Sequence, residues 1–360
     1  MSESMQKFKE MVDRAEIIAV RLCKANDIAK ALTGAILHQI FLKAGKKSSI
    51  DSDTLNERIK NCVSALFDEN SNPFGQNFDA KENILIKLDT KNLPVSSLKY
   101  EQDGDALKII LESPEVKSFD LKTISVEKEA VPLDLLLLID PSDAEAEDLL
   151  SETAHKNAVK LSTKEKGLAV KSAEILEVFF GKIPDGFKDA LWFLAAHEDK
   201  TNYLPKKETL ALLGKLLDQN LAHEKIKKAK EALHPSDFWK LFGRALARSS
   251  FEKETATIWS FLPKTDFEKI NESEESLSAI LEEMRSLRPE SNFFALLWES
   301  SLISAPKSIN ALLASNDALK LKMLAEFMHT FPTSSYFFAK GFATFSEAEL
   351  KIRGFIRKVL

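Results

Sequence analysis

The chain has 360 residues, of which 44% are hydrophobic and 29% are charged, and its formal net charge is -5 at pH 7. A single hydrophobic core stops growing at about 250 to 300 residues, so this length predicts two domains. The negative balance excludes a protein whose whole surface binds nucleic acid non-specifically, because that surface must be basic.

The cysteines and the apolar runs bear on the compartment. Cys23 and Cys62 lie in apolar segments without CxxC spacing, so we interpret them as buried, reduced thiols and expect no zinc site. The N-terminus MSESMQKFKEMVDRAE lacks the apolar core of a signal peptide, and no run approaches the roughly 18 apolar residues of a membrane span. We therefore expect a cytoplasmic protein with no membrane partner.

The N-terminal segment reads as helix, strand and helix. MQKFKEMVDRA has helical spacing, EIIAVRL is a short β-branched run, and NDIAKALTGAILHQIFLKAGKK repeats apolar residues at intervals of three and four. Asn26 or Asp27 is expected to cap the second helix, and Gly45 to end it. This order is typical of the start of an α/β domain.

Residues 83–140 turn to strands. The segments are NILIKLDT, LKYEQDGDALKIILE with the hairpin signal Asp103-Gly104, TISVEKE, and LDLLLLID. The last is almost continuously aliphatic, which indicates a strand covered on both faces. It ends at Asp140, and the carboxyl end of such a strand is where open α/β sheets bind ligands. The sequence leaves open whether Asp140 is a ligand group or a cap of the next helix.

The elements predicted for the second half of the chain are mostly helices. NAVKLSTK, 157–164, is expected to be one more strand, and from about residue 170 the spacing predicts helices almost to the end. The acid- and serine-rich segment 264–278 has the weakest apolar signal and is expected to belong to a linker between domains.

The order of these elements resembles the DHH phosphoesterase superfamily, in particular its oligoribonuclease-like members with an associated DHHA1 domain. The resemblance rests on IIAV, the Asp27-capped helix ending AGKK, the hairpin insert and LDLLLLID, then on VKSAEILEVFF, FWKLFGRALAR and FSEAELKIRGFIRKVL. It covers nearly the whole chain. It implies an α/β fold, with a DHH-like domain at 1–262, a linker at 263–285 and a smaller DHHA1-like α/β domain at 286–360. The first domain is expected to have a mainly parallel sheet flanked by helices and a β-hairpin insert.

The resemblance also implies a metal site. Members of the superfamily hydrolyse phosphodiesters with two divalent cations, held by carboxylates and histidines. The implied ligands come from a DxD element after the first strand, an Asp that ends a later strand, the DHH triplet and one further Asp. Here the first element is Ala25-Asn26-Asp27, Asp140 ends the later strand, and Asp199 falls at the last position.

The triplet itself is degenerate. If 157–164 delivers it, Ser162, Thr163 and Lys164 stand in place of Asp-His-His. Two hydroxyls and an ammonium then replace an anion and two imidazoles, and a lysine beside divalent cations repels both. A different alignment would bring His155 near the site instead.

We therefore expect no metal cofactor and no catalytic residue, with the surviving acids as vestiges. The alternative is a manganese or magnesium site built from Asp27, Asp140, Asp199 and His155. Asp27 also fits a plain helix N-cap, and Asp140 a cap or turn residue.

The substrate-binding motif of the family is also missing from this sequence. The GGGH element of active DHHA1 domains has no counterpart, because segment 334–345 offers one glycine at the relevant place. If a nucleotide binds, Arg244, Arg248 and Arg353 are the better candidates, since guanidinium groups pair with phosphate.

These features lead to three functional hypotheses. The first is a catalytically inactive DHH-like protein that binds a nucleotide, a short oligonucleotide or a protein in the cleft between its domains. The second is an active metal-dependent phosphodiesterase or oligoribonuclease with an altered metal site. The third is a structural interaction protein, which would show an exposed apolar patch on the phenylalanine-rich helical half and no cleft between the domains.

Overall fold

The structure is a computed structural model that describes most of the chain in fifteen segments. These are residues 3–23, 27–53, 55–68, 71–75, 82–88, 95–103, 106–112, 124–130, 133–152, 155–162, 166–198, 206–270, 272–300, 308–330 and 336–360.

The first half of the chain surrounds a four-stranded parallel sheet with the order β2-β1-β7-β8. Its elements are α1 (Glu3–Arg14), β1 (Ile17–Leu22), α2 (Ile28–Lys43), β2 (Lys47–Ile50), α3 (Glu57–Leu66), β3 (Glu82–Leu88), β4 (Ser97–Asp103), β5 (Ala106–Glu112), β6 (Ile124–Ala130), β7 (Leu133–Ile139), α4 (Asp143–Glu152), β8 (His155–Leu161), α5 (Leu168–Phe180), α6 (Asp185–Glu198), α7 (Lys207–Leu217) and α8 (His223–Leu233).

Strand β7 is covered on both faces, as its aliphatic sequence predicts. Leu135, Leu137 and Ile139 join the large core under α2, α3, α5 and α6. Leu136 and Leu138 face the opposite side, where they pack with α4. All five side chains are fully buried, and each contributes about 1.5–3 kcal/mol of hydrophobic stabilisation. This burial fixes β7 in the centre of the sheet.

Helix α2 lies across this sheet and begins and ends as its sequence predicts. The Asp27 carboxylate caps its N-terminus by accepting from the amides of Ala29 and Lys30 at 2.8 and 3.2 Å. Gly45 follows the helix with a φ of +75°, the left-handed conformation that glycine adopts at helix ends.

The predicted insert is present between α3 and β7. Strands β4 and β5 form the predicted antiparallel hairpin, in which Asp103 pairs with Ala106, and the two residues between them lie outside the described residues. Strands β3 and β6 form a second antiparallel pair.

The second half is built on a five-stranded sheet with the order β13-β12-β11-β10-β9, in which only the β10–β11 pair is parallel. Its elements are α9 (Ser236–Ala247), β9 (Ser249–Glu252), β10 (Thr257–Leu262), α10 (Lys264–Ile270), α11 (Leu277–Leu287), β11 (Phe293–Glu299), β12 (Ile309–Ser315), α12 (Ala318–Phe327), β13 (Tyr336–Phe342) and α13 (Phe345–Val359). Helices α9, α10 and α11 cover one face of the sheet, and α12 and α13 cover the other.

The prediction of an almost wholly helical second half is wrong, because five strands lie between residues 249 and 342. The runs TIWSFL, FFALLWE and INALLAS are buried on both faces. A short apolar run of this kind has no alternation of polar residues, so its periodicity does not separate a strand from a buried helix. The α/β class itself, which the family resemblance implied, is confirmed.

The structure also differs from the predicted boundary at residue 262. Strand β10 lies on the first-domain side of that boundary, yet six of its residues pair with β11. The predicted linker forms α10 and α11, which pack on the second sheet. Because one sheet cannot be divided between two folding units, we propose a boundary at Pro235, between α8 and α9.

Within the described residues, Arg58 and His234 of the first half contact polar groups of the second half. The Arg58 guanidinium of α3 forms an ion pair with the buried Glu272 carboxylate and donates to the Ser276 hydroxyl at 2.6 Å. His234, at the end of α8, places Nε2 3.4 Å from Glu283 of α11.

Candidate functional site

The carboxyl edge of the parallel sheet is the place at which the sequence predicts a ligand site. Strands β1, β7 and β8 end together there, since Leu22 pairs with Ile139 and Ile139 pairs with Leu161. Asp140 follows β7 and donates its backbone N–H to the Leu161 carbonyl at 2.7 Å. Its φ of +44° is unusual for a residue other than glycine and costs about 1 kcal/mol or more. Asp140 is therefore held in a specific conformation at the centre of this edge.

A lysine from α2 occupies the space beside Asp140. Lys30 is buried, and its Nζ donates to the Asp140 carbonyl at 2.9 Å and lies 3.8 Å from the Asp140 carboxylate. Lys30 lies in the first turn of α2, where the helix dipole disfavours a cation. The carbonyl and carboxylate of Asp140 offset that cost, and together they anchor the ammonium at the edge.

Asp27 serves α2 rather than a shared cluster. Its Oδ1 accepts from two amides of the first helical turn, which is the N-cap role that the sequence left open. The capping bonds and the helix dipole both use the negative charge of this carboxylate.

A second lysine contacts the backbone at the end of the neighbouring strand, β8. Lys171 of α5 donates to the carbonyl of Ser162, which follows β8. The other two residues of the degenerate triplet, Thr163 and Lys164, lie outside the described residues, as does Asp199. The structure thus places Ser162 at the edge and leaves the predicted roles of the other three as predictions.

Glu198, beside Asp199, caps a helix. Its two carboxylate oxygens accept from the amides of Leu168 and Ala169 at 2.6 and 3.0 Å, at the N-terminus of α5. Gly167 permits this approach, because a Cβ there would lie 2.7 Å from the carboxylate.

His155 does not reach this edge. It begins β8 and pairs with Leu133, at the amino end of the sheet, whereas the site lies at the opposite end. Six residues of strand separate His155 from Leu161, a rise of about 20 Å. The alternative alignment that brings this imidazole to Asp140 is therefore wrong.

The predicted substrate arginines do not converge. Arg244 and Arg248 lie on α9 and both pair with the buried Asp266 carboxylate, at 2.9 and 2.8 Å. Arg353 lies on α13, on the other face of the second sheet, and pairs with Glu252 and Glu349 at 3.1 and 2.7 Å. The sheet separates the two groups, so a single phosphate cannot contact all three arginines.

Cys23 follows β1 at the same edge. Burial, followed by the nearby Glu145 carboxylate, raises the pKa of its thiol to about 11. The thiol is therefore protonated at neutral pH and is a poor nucleophile. Both cysteines are free and buried, as predicted.

The described residues at this edge do not suit paired divalent cations. Such cations take oxygen and imidazole ligands, whereas the described part of the edge presents an ammonium at Asp140 and a carboxylate committed to a helix cap at Asp27. Within the described ranges no group of three or more histidines, cysteines or acids is close enough to hold a metal ion.

In the same ranges no helix is both long and apolar enough to cross a bilayer.

Sequence reasoning missed Lys30 and Lys171, and it missed the capping role of Glu198, which it interpreted as a solvated residue at a helix end. The one signal for Lys30 is a lysine inside the apolar stretch IAKALTGAILHQIF. Its partner lies 110 residues away along the chain, so the pairing is visible only in the fold.

Comparison with known proteins adds information at the level of fold. No protein-family model matches the sequence, and no curated protein matches it. Among solved structures, an exopolyphosphatase-related protein from Bacteroides fragilis is similar with a TM-score of 0.63 and 10% identity, over 98% of this chain and 95% of that one.

Two RecJ structures are matched at lower similarity. The exonuclease RecJ bound to manganese gives a TM-score of 0.41 at 10% identity, over 99% of this chain and 93% of that one. RecJ from Thermus thermophilus in complex with Mn²⁺ gives 0.40 at 11% identity, over 99% of this chain and 54% of that one. The comparison with the Bacteroides protein shows that this chain shares the fold of that protein, a mixed α/β fold with a parallel sheet flanked by helices.

Proposed function

We propose that this protein is a DHH-like phosphoesterase fold without phosphodiesterase activity, and that it acts by binding another molecule. The observation that carries the proposal is the buried ammonium of Lys30 at Asp140. Its consequence is electrostatic. Two unit charges 4 Å apart repel by about 4 kcal/mol near a protein surface, and a divalent cation doubles that energy.

The two other acids of this edge are engaged in ways that support the same proposal. The cap of α2 uses one oxygen of Asp27, and a metal bound at that oxygen would compete with the two amide hydrogen bonds. A metal bound by Glu198 would compete with the two amides that begin α5. A part-buried donor that is left unsatisfied costs about 1–3 kcal/mol, and the exposed amide of Ala29 costs less.

Among the proposed ligands, a protein is favoured over a nucleotide or a short oligonucleotide. The three arginines that were expected to contact phosphate are already paired with carboxylates. A phosphate would have to displace Asp266 or Glu252 from them. Exposed apolar side chains on the insert, including Leu98 and Tyr100, are instead typical of a surface that contacts protein.

The test is a calorimetric titration of the full chain with Mn²⁺, followed by hydrolysis assays. The substrates are short oligoribonucleotides, cyclic dinucleotides and inorganic polyphosphate, the last because one structural neighbour is described as exopolyphosphatase-related. We expect no turnover above the blank. Turnover that requires Mn²⁺ and disappears in Asp140→Ala would overturn the proposal in favour of an active phosphodiesterase.

A pair of variants isolates the role of the lysine. Lys30→Met removes the charge at Asp140 while keeping the length of the side chain, and we expect it to bind Mn²⁺ more tightly than the parent. Lys171→Met is the matched control, because it removes an ammonium from the adjacent strand end and leaves the Lys30–Asp140 pair intact. Equal Mn²⁺ affinity in the parent and Lys30→Met would contradict the electrostatic argument.

A further inference from the structure

The β4–β5 hairpin has an apolar face that nothing in the described structure covers. Leu98 pairs with Leu111 and Tyr100 pairs with Ile109, so these four side chains lie on one face of the hairpin. Leu98 is 61% exposed, Tyr100 is 74% exposed and Ile109 is 43% exposed. Large apolar side chains with this exposure, grouped on one face, mark an interaction surface.

The hairpin also has open edges. Within the described residues β4 and β5 pair only with each other. Two strands alone are marginally stable in water, and an unpaired edge is a template for another strand. Both features predict that a further strand joins this sheet.

The edge of β4 has the geometry to accept one. In a two-residue hairpin the pair beside the loop, here Asp103 and Ala106, exchanges backbone hydrogen bonds, and the pattern alternates along the strand. The N–H and C=O groups of Leu98, Tyr100 and Gln102 therefore point away from β5, toward the open edge.

The sequence of β4 is complementary to itself. If two β4 strands pair antiparallel with Tyr100 opposite Tyr100, residues at equal distances before and after Tyr100 face each other across the two strands. Lys99 then faces Glu101 of the second copy on both sides of the two-fold axis, and opposite charges stabilise such cross-strand pairs. The apolar faces of the two hairpins fall on the same side of the joined sheet.

The charges within each hairpin fit this arrangement. Lys99 contacts Glu112 at 2.5 Å on β5, and Glu101 pairs in register with Lys108. Lys99 and Glu101 of β4 would thus each have an opposite charge on both neighbouring strands. Lys99 and Ser97 lower the pKa of the Glu112 carboxyl, so this acid is ionised at neutral pH.

We propose that two copies of this chain associate by antiparallel pairing of β4 with β4 about Tyr100, which forms a continuous sheet with the order β5-β4-β4-β5. This interface is isologous and closes on itself, so it gives a dimer rather than a filament. The proposal does not depend on whether the carboxyl edge of the first sheet binds metal.

The first test is disulfide trapping of the full chain under mild oxidation. Residues directly opposite in a hydrogen-bonded antiparallel pair have Cα atoms about 5.5 Å apart, which is within disulfide range. We expect Tyr100→Cys to form a covalent dimer. The matched control is Leu319→Cys on α12, because Leu319 is also 74% exposed. The native cysteines are buried and do not interfere.

The second test measures association by sedimentation equilibrium. Tyr100→Pro removes the N–H that faces the open edge of β4, whereas Ile109→Pro does the same at the edge of β5. We expect Tyr100→Pro to weaken dimerisation by about tenfold or more and Ile109→Pro to have less effect. A monomeric parent chain, or equal cross-linking of Tyr100→Cys and Leu319→Cys, would overturn the proposal.

Discussion

His38 lies within α2 and is fully buried, with Nδ1 2.9 Å from the hydroxyl of Ser48. Gly75 packs against the other side of the ring, where a Cβ would lie 2.4 Å from Nε2. Burial lowers the pKa of this imidazole to about 4 from an ordinary value of 6.5. The ring is therefore neutral in the folded protein at pH 7.

This environment predicts loss of stability in acid. Between pH 6.5 and 4 the unfolded chain protonates His38 and the folded chain does not, so the free energy of unfolding decreases as the pH falls. The contribution is about 2 kcal/mol between pH 7 and pH 5. Urea unfolding at both pH values checks it.

The control for this prediction is His38→Asn, which keeps a polar partner near Ser48 without a titrating group. We expect the variant to lose about 2 kcal/mol less than the parent over the same interval. Equal losses would show that other groups produce the acid sensitivity.

At the level of one element, α2 illustrates how a helix is fixed against its sheet. Gly34 lies where α2 approaches β1 and β2, and a Cβ at this position would lie 2.5 Å from Leu22 Cδ2 and 2.9 Å from Ile50 Cδ1. Both neighbours are buried in the core, so they have little room to move. The close approach of α2 to the sheet depends on this glycine.

We therefore expect Gly34→Ala to lower the free energy of unfolding by about 1–3 kcal/mol through overpacking. Replacing glycine by alanine normally stabilises a helix, so a decrease in the free energy of unfolding of Gly34→Ala would indicate overpacking. Gly243→Ala is the control, because Gly243 is exposed in α9 and a Cβ there meets nothing within 4 Å. It should gain about 0.5–1 kcal/mol. Chemical denaturation measures the free energy of unfolding of both variants. An increase in Gly34→Ala would contradict the packing argument.

The strands differ in whether local sequence patterns are enough to predict them. Strands β4 and β5 follow from alternation and the turn signal Asp103-Gly104, and β7 follows from a continuous aliphatic run beside turn residues. Local sequence does not distinguish the equally apolar β11 from a helix, because its run FFALLWE lies among segments with helical spacing. Its identity as a strand depends on pairing with β10 and β12, which are distant in sequence.

Across the molecule as a whole, the two sheets are the units that we expect to fold separately. Each sheet has its own clusters of buried residues, which lie on both of its faces. The contacts between the halves include the ion pair of Arg58 with Glu272.

The proposed boundary at Pro235 predicts how fragments behave. A fragment of residues 236–360 should fold, because it contains all five strands of its sheet and the helices that cover both faces. A fragment of residues 263–360 lacks β9, β10 and α9, which exposes one edge of β11 and part of the core. We expect it to be unfolded or aggregated. Far-UV circular dichroism and amide NMR dispersion compare the two. Cooperative folding of 263–360 would restore the boundary at residue 262.

Local sequence was sufficient for the first elements and for the candidate positions. It predicts the α1-β1-α2 start, the hairpin insert, the buried strand that ends at Asp140, and the Asp27 cap, because each depends on neighbours within a few residues. What surrounds those positions depends on the folded chain. The fold brings Lys30 to Asp140 across 110 residues, sends His155 to the far end of its strand, and separates Arg244 from Arg353 by a sheet. Such contacts depend on strand order and on the face that each helix covers, and these are set by burial of the whole core rather than by any one segment.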